Sequence, residues 1–131
     1  MALELEIGMK GEAKTKITDE NTAKKFGSGS VNVFGTPAMV ALMEEAAINA
    51  VDKKLPDGFA TVGIHLDISH SSPSPIGVEA KATARLVRIE GMKLIFDVEA
   101  YDNKEKIGEG THERFIINLN SLTKKAEAKL N

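Results

Sequence analysis

Three residues in this chain suit acid–base chemistry at a carbonyl: Glu44, His70 and Thr36. Glu44 interrupts an apolar helical stripe. At about 100° per residue, Glu45, Asn49, Asp52 and Lys53 gather on one side of the segment 37–53. Val40, Met43, Ala47, Ile48 and Val51 gather on the other, with Glu44 among them. A carboxylate in such a stripe must be paired, hydrogen-bonded or neutralised, and perturbed carboxylates concentrate where they have work to do. The plainer reading is a boundary Glu reaching for water, or one that pairs at a subunit interface. His70 continues the apolar phase of a strand and stands at its end, before a Ser-Pro-rich loop. A lone histidine on an apolar face is more often a hydrogen-bonded core residue. Here the shared face is the one expected to pack on the Glu44 stripe, and a carboxylate near an imidazole is a working acid–base pair.

Thr36 precedes Pro37 and is read as the helix N-cap. Its hydroxyl would accept from the amide of Ala38 or Met39. The same free amides, at the positive end of the helix dipole, could polarise a carbonyl as an oxyanion site. A cap bond and an oxyanion bond then compete for one amide. Thr36 and Glu44 are eight residues apart, about 12 Å along the axis and roughly 80° around it. A substrate, a water or a second subunit must lie between them.

The elements that position these residues follow from the patterning. Residues 11–17 alternate as a strand. Residues 18–35 are polar and then glycine-rich, a long loop of the kind that is often functional. After the helix, Pro56-Asp-Gly58 marks a turn. In residues 60–70, Ala60, Val62, Ile64, Leu66, Ile68 and His70 fall on one face, with Thr61, Gly63, His65, Asp67 and Ser69 on the other. Residues 77–89 form a strand with Val78, Ala80, Ala82, Ala84 and Leu86 in phase and a slip at Leu86-Val87 that suggests a bulge. Glu90-Gly91 is a hairpin turn. Met92, Leu94, Phe96, Val98 and Ala100 give the next strand. Residues 105–119 form a last strand of unfixed phase, and Ser121 to Leu130 a short charged helix.

One sheet with a polar outer face must bury its inner face, and 37–53 is the only helix apolar enough to receive it. Alanines on both partners allow close wrapping. The expectation is an α+β chain with the hotdog fold, a curved antiparallel sheet wrapped around one central α-helix, as a single domain over 1–131.

Composition removes several functions. The 131 residues carry a formal net charge of -2 with no basic patch, so nucleic acid is a poor partner. Five Phe, one Tyr and no Trp leave little for base stacking. The absence of cysteine excludes disulfides and thiolate metal sites. No apolar segment has the length of a membrane span, and no signal peptide is evident, so a cytoplasmic location is expected. His65 and Asp67 form a His-x-Asp pair that would need a third ligand, such as His112, to hold a metal. The spacing is unspecific and the outer sheet face is the usual place for such residues, so no metal is expected. Gly63 interrupts a strand, which often marks close approach of a ligand or another backbone. Arg114 suits a phosphate or carboxylate, or a surface ion pair.

Three separated segments carry a resemblance. Val33-Phe-Gly-Thr-Pro-Ala-Met-Val-Ala-Leu-Met-Glu44, Gly63-Ile-His-Leu-Asp-Ile-Ser-His70 with Pro75-Ile-Gly77, and Gly108-Glu-Gly-Thr-His-Glu-Arg114 together resemble the fluoroacetyl-CoA thioesterase-like family of the hotdog superfamily. The resemblance runs from about residue 31 to 119. It implies a homodimer whose sheets join edge to edge, with acyl-CoA at the subunit interface and further pairing of dimers left open. It implies a catalytic Thr36, Glu44 and His70, a Gly63 that lines the acyl pocket, and an Arg114 in the family motif. Phe34, Ala38 and Met39 join Gly63 and Arg114 as expected substrate-binding positions. The implied reaction is hydrolysis of a small acyl-CoA, with coenzyme A as part of the substrate and no other cofactor. The alternative is a non-catalytic acyl-CoA-binding protein on the same fold. In residues 18–35 the family enzyme has an aromatic lid, whereas this chain has only Phe26 and Phe34 among Gly and Ser. The resemblance therefore supports a thioesterase rather than that particular substrate.

Overall fold

The computed structural model of the chain describes residues 4–130. Five antiparallel strands form one curled sheet around a long helix, which is the hotdog arrangement. In chain order they are β1 (Lys10–Lys16), β2 (Phe59–His70), β3 (Glu79–Glu90), β4 (Lys93–Tyr101) and β5 (Lys106–Asn118). Their order across the sheet is β1-β3-β4-β5-β2, so β1 and β2 are its edges. The helices are α1 (Ala23–Phe26), α2 (Thr36–Val51) and α3 (Leu119–Glu127). None among the described residues is long and apolar enough to cross a membrane.

The α2 helix packs chiefly on β1 and β3. Small residues set this close approach. Ala80, Ala82 and Ala84 of β3 are buried, as are Ala46, Ala47 and Ala50 of the helix. A Cβ at Gly11 would collide with the Ala46 carbonyl and the Ala50 main chain. The alternation read for β3 and β4 holds within the strands, with Ala80, Ala82, Ala84, Leu86, Leu94, Phe96, Val98 and Ala100 all buried, whereas Val78 and Met92 fall outside them and Met92 is exposed. The slip expected near Leu86 appears as a register shift between Leu86 and Arg88.

Three readings need correction. First, the buried stripe of α2 is Met39, Leu42, Met43, Ala46, Ala47, Ala50 and Val51. Glu44 therefore lies on its edge, with Val40 and Ile48, and its side chain is 35% exposed. Alanines spread around the helix leave the hydrophobic phase poorly defined, because their burial says little about which face is inward.

Second, β2 carries a bulge between Gly63 and His65. An extra residue reverses the side-chain alternation. Leu66, Ile68 and His70 keep the expected inward side, but before the bulge it is Thr61 and Gly63 that face the helix.

Third, residues 18–35 are not a plain loop. Thr18 and Asn21 form a reciprocal cap around a short 3₁₀ turn, Thr22 caps α1, and Gly27 ends it in the left-handed region at φ 73°. A single turn is too short to show a periodicity. The segment closes on itself through a Thr22–Phe34 bridge and the Gly35 amide on the Asn21 carbonyl at 2.9 Å.

Candidate active site

The N-terminus of α2 meets the end of β2. Thr36 Oγ1 lies 2.7 Å from His70 Nδ1, so residues 34 apart in sequence form a hydroxyl–imidazole pair. Thr36 is not the N-cap. Gly35 occupies that position without a side-chain bond, and Thr36 is the first helical residue. Its hydroxyl is thereby free for the imidazole, and the competition expected between cap and oxyanion does not arise. The Met39 amide, expected as an oxyanion donor, is engaged by the Gly35 carbonyl at 3.0 Å. Its side chain is buried against Gly108. The Ala38 amide has no hydrogen-bond partner among the described residues. Phe34 is buried at 1% exposure. It lines a cavity of about 290 Å³ with Ala23, Ser28, Val33, Thr36, His70, Ser72 and Pro73.

Burial holds the His70 imidazole below its ordinary pKa, and the Ser72 main chain opposes this in part. The ring is therefore neutral at pH 7. No hydrogen bond of ordinary geometry reaches Nε2, the one buried side-chain nitrogen or oxygen among the described residues that lacks a partner.

A second cluster lies under Gly63. The side chain of Arg114, 4% exposed, spreads its planar fork over several acceptors. Nε donates to Thr61 Oγ1 at 2.8 Å and Nη2 to the Thr61 carbonyl at 2.9 Å. Nη1 lies 3.0 Å from His112 Nε2 and 3.4 Å from Glu44 Oε2. Thr61 Oγ1 in turn donates a hydrogen bond to Asp52 Oδ1 at 2.6 Å. His112 is fully buried, with Nδ1 2.8 Å from the His65 carbonyl. A carbonyl only accepts, so Nδ1 carries the proton and Nε2 receives Arg114. Burial pushes the His112 pKa down, the His65 carbonyl pulls it up, and the Arg114 charge lowers it again. Burial likewise lowers the guanidinium pKa of Arg114, with Glu44 opposing, and an arginine remains charged regardless.

Gly63 is where this cluster demands a glycine. A Cβ there would sit 2.5 Å from Glu44 Oε2, 3.1 Å from His112 Cε1 and 3.5 Å from Arg114 Nη1.

The structure thus brings Thr36 to His70, and Glu44 to Gly63 and Arg114, but it does not bring the two groups together within one chain. Gly63 and His70 are seven residues apart on β2, about 20 Å at strand spacing. His65 and Asp67 face outward while His112 faces in, so the three do not converge on a metal. Among the described residues no group of three or more His, Cys, Asp or Glu is placed to hold one. Sequence reasoning missed the structural part of His112 and Thr61. The signal was the motif Gly-Thr-His-Glu-Arg itself, which sets His112 and Arg114 on the same face of β5 at a spacing of two.

The family described as fluoroacetyl-CoA-specific thioesterase matches residues 17–120. The fluoroacetyl-CoA thioesterase of Streptantibioticus cattleyicolor is 37% identical over 97 residues, 74% of this chain and 70% of that protein. A crystal structure of a variant of the fluoroacetyl-CoA-specific thioesterase superimposes with a TM-score of 0.89 at 29% identity, covering 95% of this chain and 97% of that one. The same enzyme variant in complex with fluoroacetate and CoA gives 0.85 at 29% identity, over 90% and 99% of the two chains. A thioesterase-superfamily protein from Thermus thermophilus gives 0.85 at 25% identity over 95% of each chain. On these matches the chain belongs to the fluoroacetyl-CoA-specific thioesterase family, and is a hotdog-fold hydrolase of acyl-CoA thioesters.

Proposed function

We propose that this protein hydrolyses a small acyl-CoA as a homodimer, with each centre built from Thr36 and His70 of one subunit and Glu44 of the partner subunit. The observation that carries this reading is the 2.7 Å contact between Thr36 Oγ1 and His70 Nδ1, with the opposite ring nitrogen left without a partner. A nucleophile and base within hydrogen-bond reach, the base awaiting a third group, is the arrangement that activates a hydroxyl.

The third group cannot be the chain's own Glu44, which sits at the Gly63 level of β2. A free strand edge invites pairing with a second copy. Beside it Ile64 is 50% exposed, and Ile48 stands half-exposed on the Glu44 flank of α2. If two β2 strands pair antiparallel about a twofold axis at Asp67, Leu66 lies opposite Ile68 and, with Ile64 the extra residue of the bulge, Gly63 of the partner subunit lies opposite His70. Both face inward, and directly opposed Cβ positions are about 5 Å apart. Glu44 of the partner subunit then comes beside the His70 ring, and once a small turn of the ring opens the buried Nε2 to it, it accepts a hydrogen bond from Nε2 and fixes the tautomer in which Nδ1 is a base.

In this centre the thioester carbonyl lies at the start of α2, where the Ala38 amide and the helix dipole stabilise its developing negative charge. Thr36 gives its proton to Nδ1 as Oγ1 attacks the carbonyl carbon. The carbon–sulfur bond breaks, and the CoA thiolate leaves with the proton from the imidazolium. Water, activated by the same nitrogen, cleaves the threonyl ester and releases the acid. The net change is one acyl-CoA and one water to one acid and one thiol. The acyl group occupies the cavity bordered by Phe34, Ala23 and Ser28. Phe26, 50% exposed, is not among the residues that line it. Short acyl groups are therefore the expected class, without a closed aromatic lid. We read the protein as cytoplasmic, with coenzyme A entering only as part of the substrate.

Subunit mixing tests this reading. Thr36→Ala and Glu44→Gln homodimers should each release little thiol from short acyl-CoA esters. Unfolded, mixed in equal amounts and refolded, half of the dimers are mixed, and each of these holds one intact centre. About a quarter of wild-type turnover should return. If both groups serve a centre within one chain, no turnover returns. Saturable ester binding by the wild type with no thiol release would instead favour a non-catalytic binding protein.

A further inference from the structure

Neither α2 nor β2 by itself fixes the distance between Thr36 and His70. The helix is anchored mainly on β1 and β3, and His70 is the last residue of an edge strand. Their separation is set by the chain on either side, Val33–Gly35 before Thr36 and Ser71–Pro75 after His70. Both segments hang from one place, the turn between β4 and β5. Ser74 is fully buried. Its carbonyl accepts the Phe34 amide at 2.9 Å, and its hydroxyl donates to Asp102 Oδ2 at 2.7 Å. Val33 bridges Pro75 beside it. Asp102 is itself held, since Oδ1 accepts the amides of Lys104 at 2.8 Å and Glu105 at 3.0 Å. Burial pushes the Asp102 carboxyl up, but the Ser74 hydroxyl and these amides outweigh it and keep the group below its ordinary pKa. On the His70 side, the Ser71 amide reaches the Ile107 carbonyl at 2.8 Å and the Ser72 hydroxyl reaches Glu105 Oε2 at 2.8 Å. Pro73 and Pro75 fix φ on both sides of Ser74, so a constraint at Ser74 is passed along the loop rather than absorbed.

We propose that Ser74 and Asp102 are positioning residues for the Thr36–His70 pair, acting from the β4–β5 turn through the main chain at Phe34. The proposal rests on the reading of Thr36 and His70 as the reacting pair. Neither Ser74 nor Asp102 itself lines the cavity assigned to the acyl group. A loss at either lets the two segments drift, and a misplacement of about 1 Å at a reacting pair costs up to 100-fold in rate.

The test compares Ser74→Ala, Asp102→Ala and Asp102→Asn with the wild type. Asparagine keeps an acceptor for the two amides and a hydrogen bond to Ser74, so Asp102→Asn should stay within about threefold of wild-type kcat. Ser74→Ala and Asp102→Ala should lose roughly 10- to 100-fold in kcat, with KM changed by less than about twofold. An independent readout comes from NMR titration of the imidazoles, because the chain has only three histidines. In the two alanine variants the His70 titration should move up toward the ordinary value as its burial loosens, while that of His112 stays in place. A lower melting temperature with kcat and the His70 titration unchanged would overturn the proposal, leaving a turn that only stabilises. If Ser74→Ala does not fold, Asp102→Ala and Asp102→Asn carry the comparison. If the wild type shows no turnover but the His70 titration moves as expected, the reaction assigned to the pair fails and the positioning stands.

Discussion

Gly63→Ala separates function from stability at the Glu44 cluster. Gly63 is not at a positive φ, so alanine brings no backbone strain there. What it brings is a Cβ 2.5 Å from Glu44 Oε2, when carbon and oxygen need roughly 3.3 Å. The carboxylate must retreat by about 1 Å and leave Arg114 Nη1, now at 3.4 Å. Glu44 ends a flexible, partly exposed side chain, so this retreat is cheap. Glu44 is 35% exposed and the buried Arg114 keeps its Thr61 and His112 acceptors, so loosening this ion pair costs about 1 kcal/mol. His112 Cε1, 3.1 Å from the new methyl, is less forgiving because both ring nitrogens are held. Together these amount to about 1–2 kcal/mol, a fall in melting temperature of roughly 4–8 °C. The effect on turnover should be far larger, because a carboxylate displaced by about 1 Å loses about 100-fold. Thiol release should be measured for wild type, Gly63→Ala, Glu44→Gln and the double variant. Glu44→Gln keeps the shape and removes the charge, with an expected loss of about 100- to 10,000-fold. Since Gly63→Ala acts by moving Glu44, the double variant should fall within about threefold of Glu44→Gln alone. Losses that multiply would refute the reasoning, as would a Gly63→Ala enzyme with wild-type turnover.

Two further outcomes follow from the same geometry. His70 and His112 both have pKa values below the ordinary 6.5 in the folded chain, so on acidification the unfolded chain takes up their protons first. Their contribution to stability is complete above about pH 6.5 and is lost as pH falls below it toward the folded values. Urea midpoints should be level between pH 8 and 7 and then decline from pH 6.5 to 5, with a shallower decline in His112→Asn. Arg114→Lys replaces a fork that serves Thr61, His112 and Glu44 with a single point of charge. The buried acceptors left without donors should cost about 2–4 kcal/mol, a drop of roughly 10 °C by calorimetry. A change within about 2 °C would mean that the fork is not structural.

The sheet was legible because β2, β3 and β4 carry apolar residues at every second position, large ones such as Leu86, Leu94, Phe96 and Val98 and alanines on β3 where the helix approaches. The same alanines made α2 hard to read. With Ala38, Ala41, Ala46, Ala47 and Ala50 distributed around it, the inward stripe could not be told from its neighbour. Glu44 was singled out for a correct reason, an acid beside apolar residues, but it was set on the wrong part of the face. His70 was placed correctly because it lies after the bulge, where the alternation of Leu66 and Ile68 runs unbroken. His112 and Arg114 resisted because β5 is glycine-interrupted at Gly108 and Gly110. No apolar alternation therefore fixes its phase until the buried Ile116. Contacts between distant segments, such as Ser74 with Asp102, leave no local pattern at all.

The bulge at Ile64 links these observations. Gly63 and His70 are separated by an odd number of residues, so on an unbroken strand they would face opposite sides of the sheet. One extra residue between them lets both face the helix. Without it, either the glycine notch that admits Glu44 or the histidine that meets Thr36 would be turned to solvent. The bulged residue is itself an exposed isoleucine on the free edge of β2. It therefore marks the segment where two copies would meet in the proposed dimer. A local irregularity in one strand thus meets two demands at once. In the proposed dimer it gives both halves of the centre the same inward face, and it leaves them at opposite ends of a strand where a twofold partner would join them.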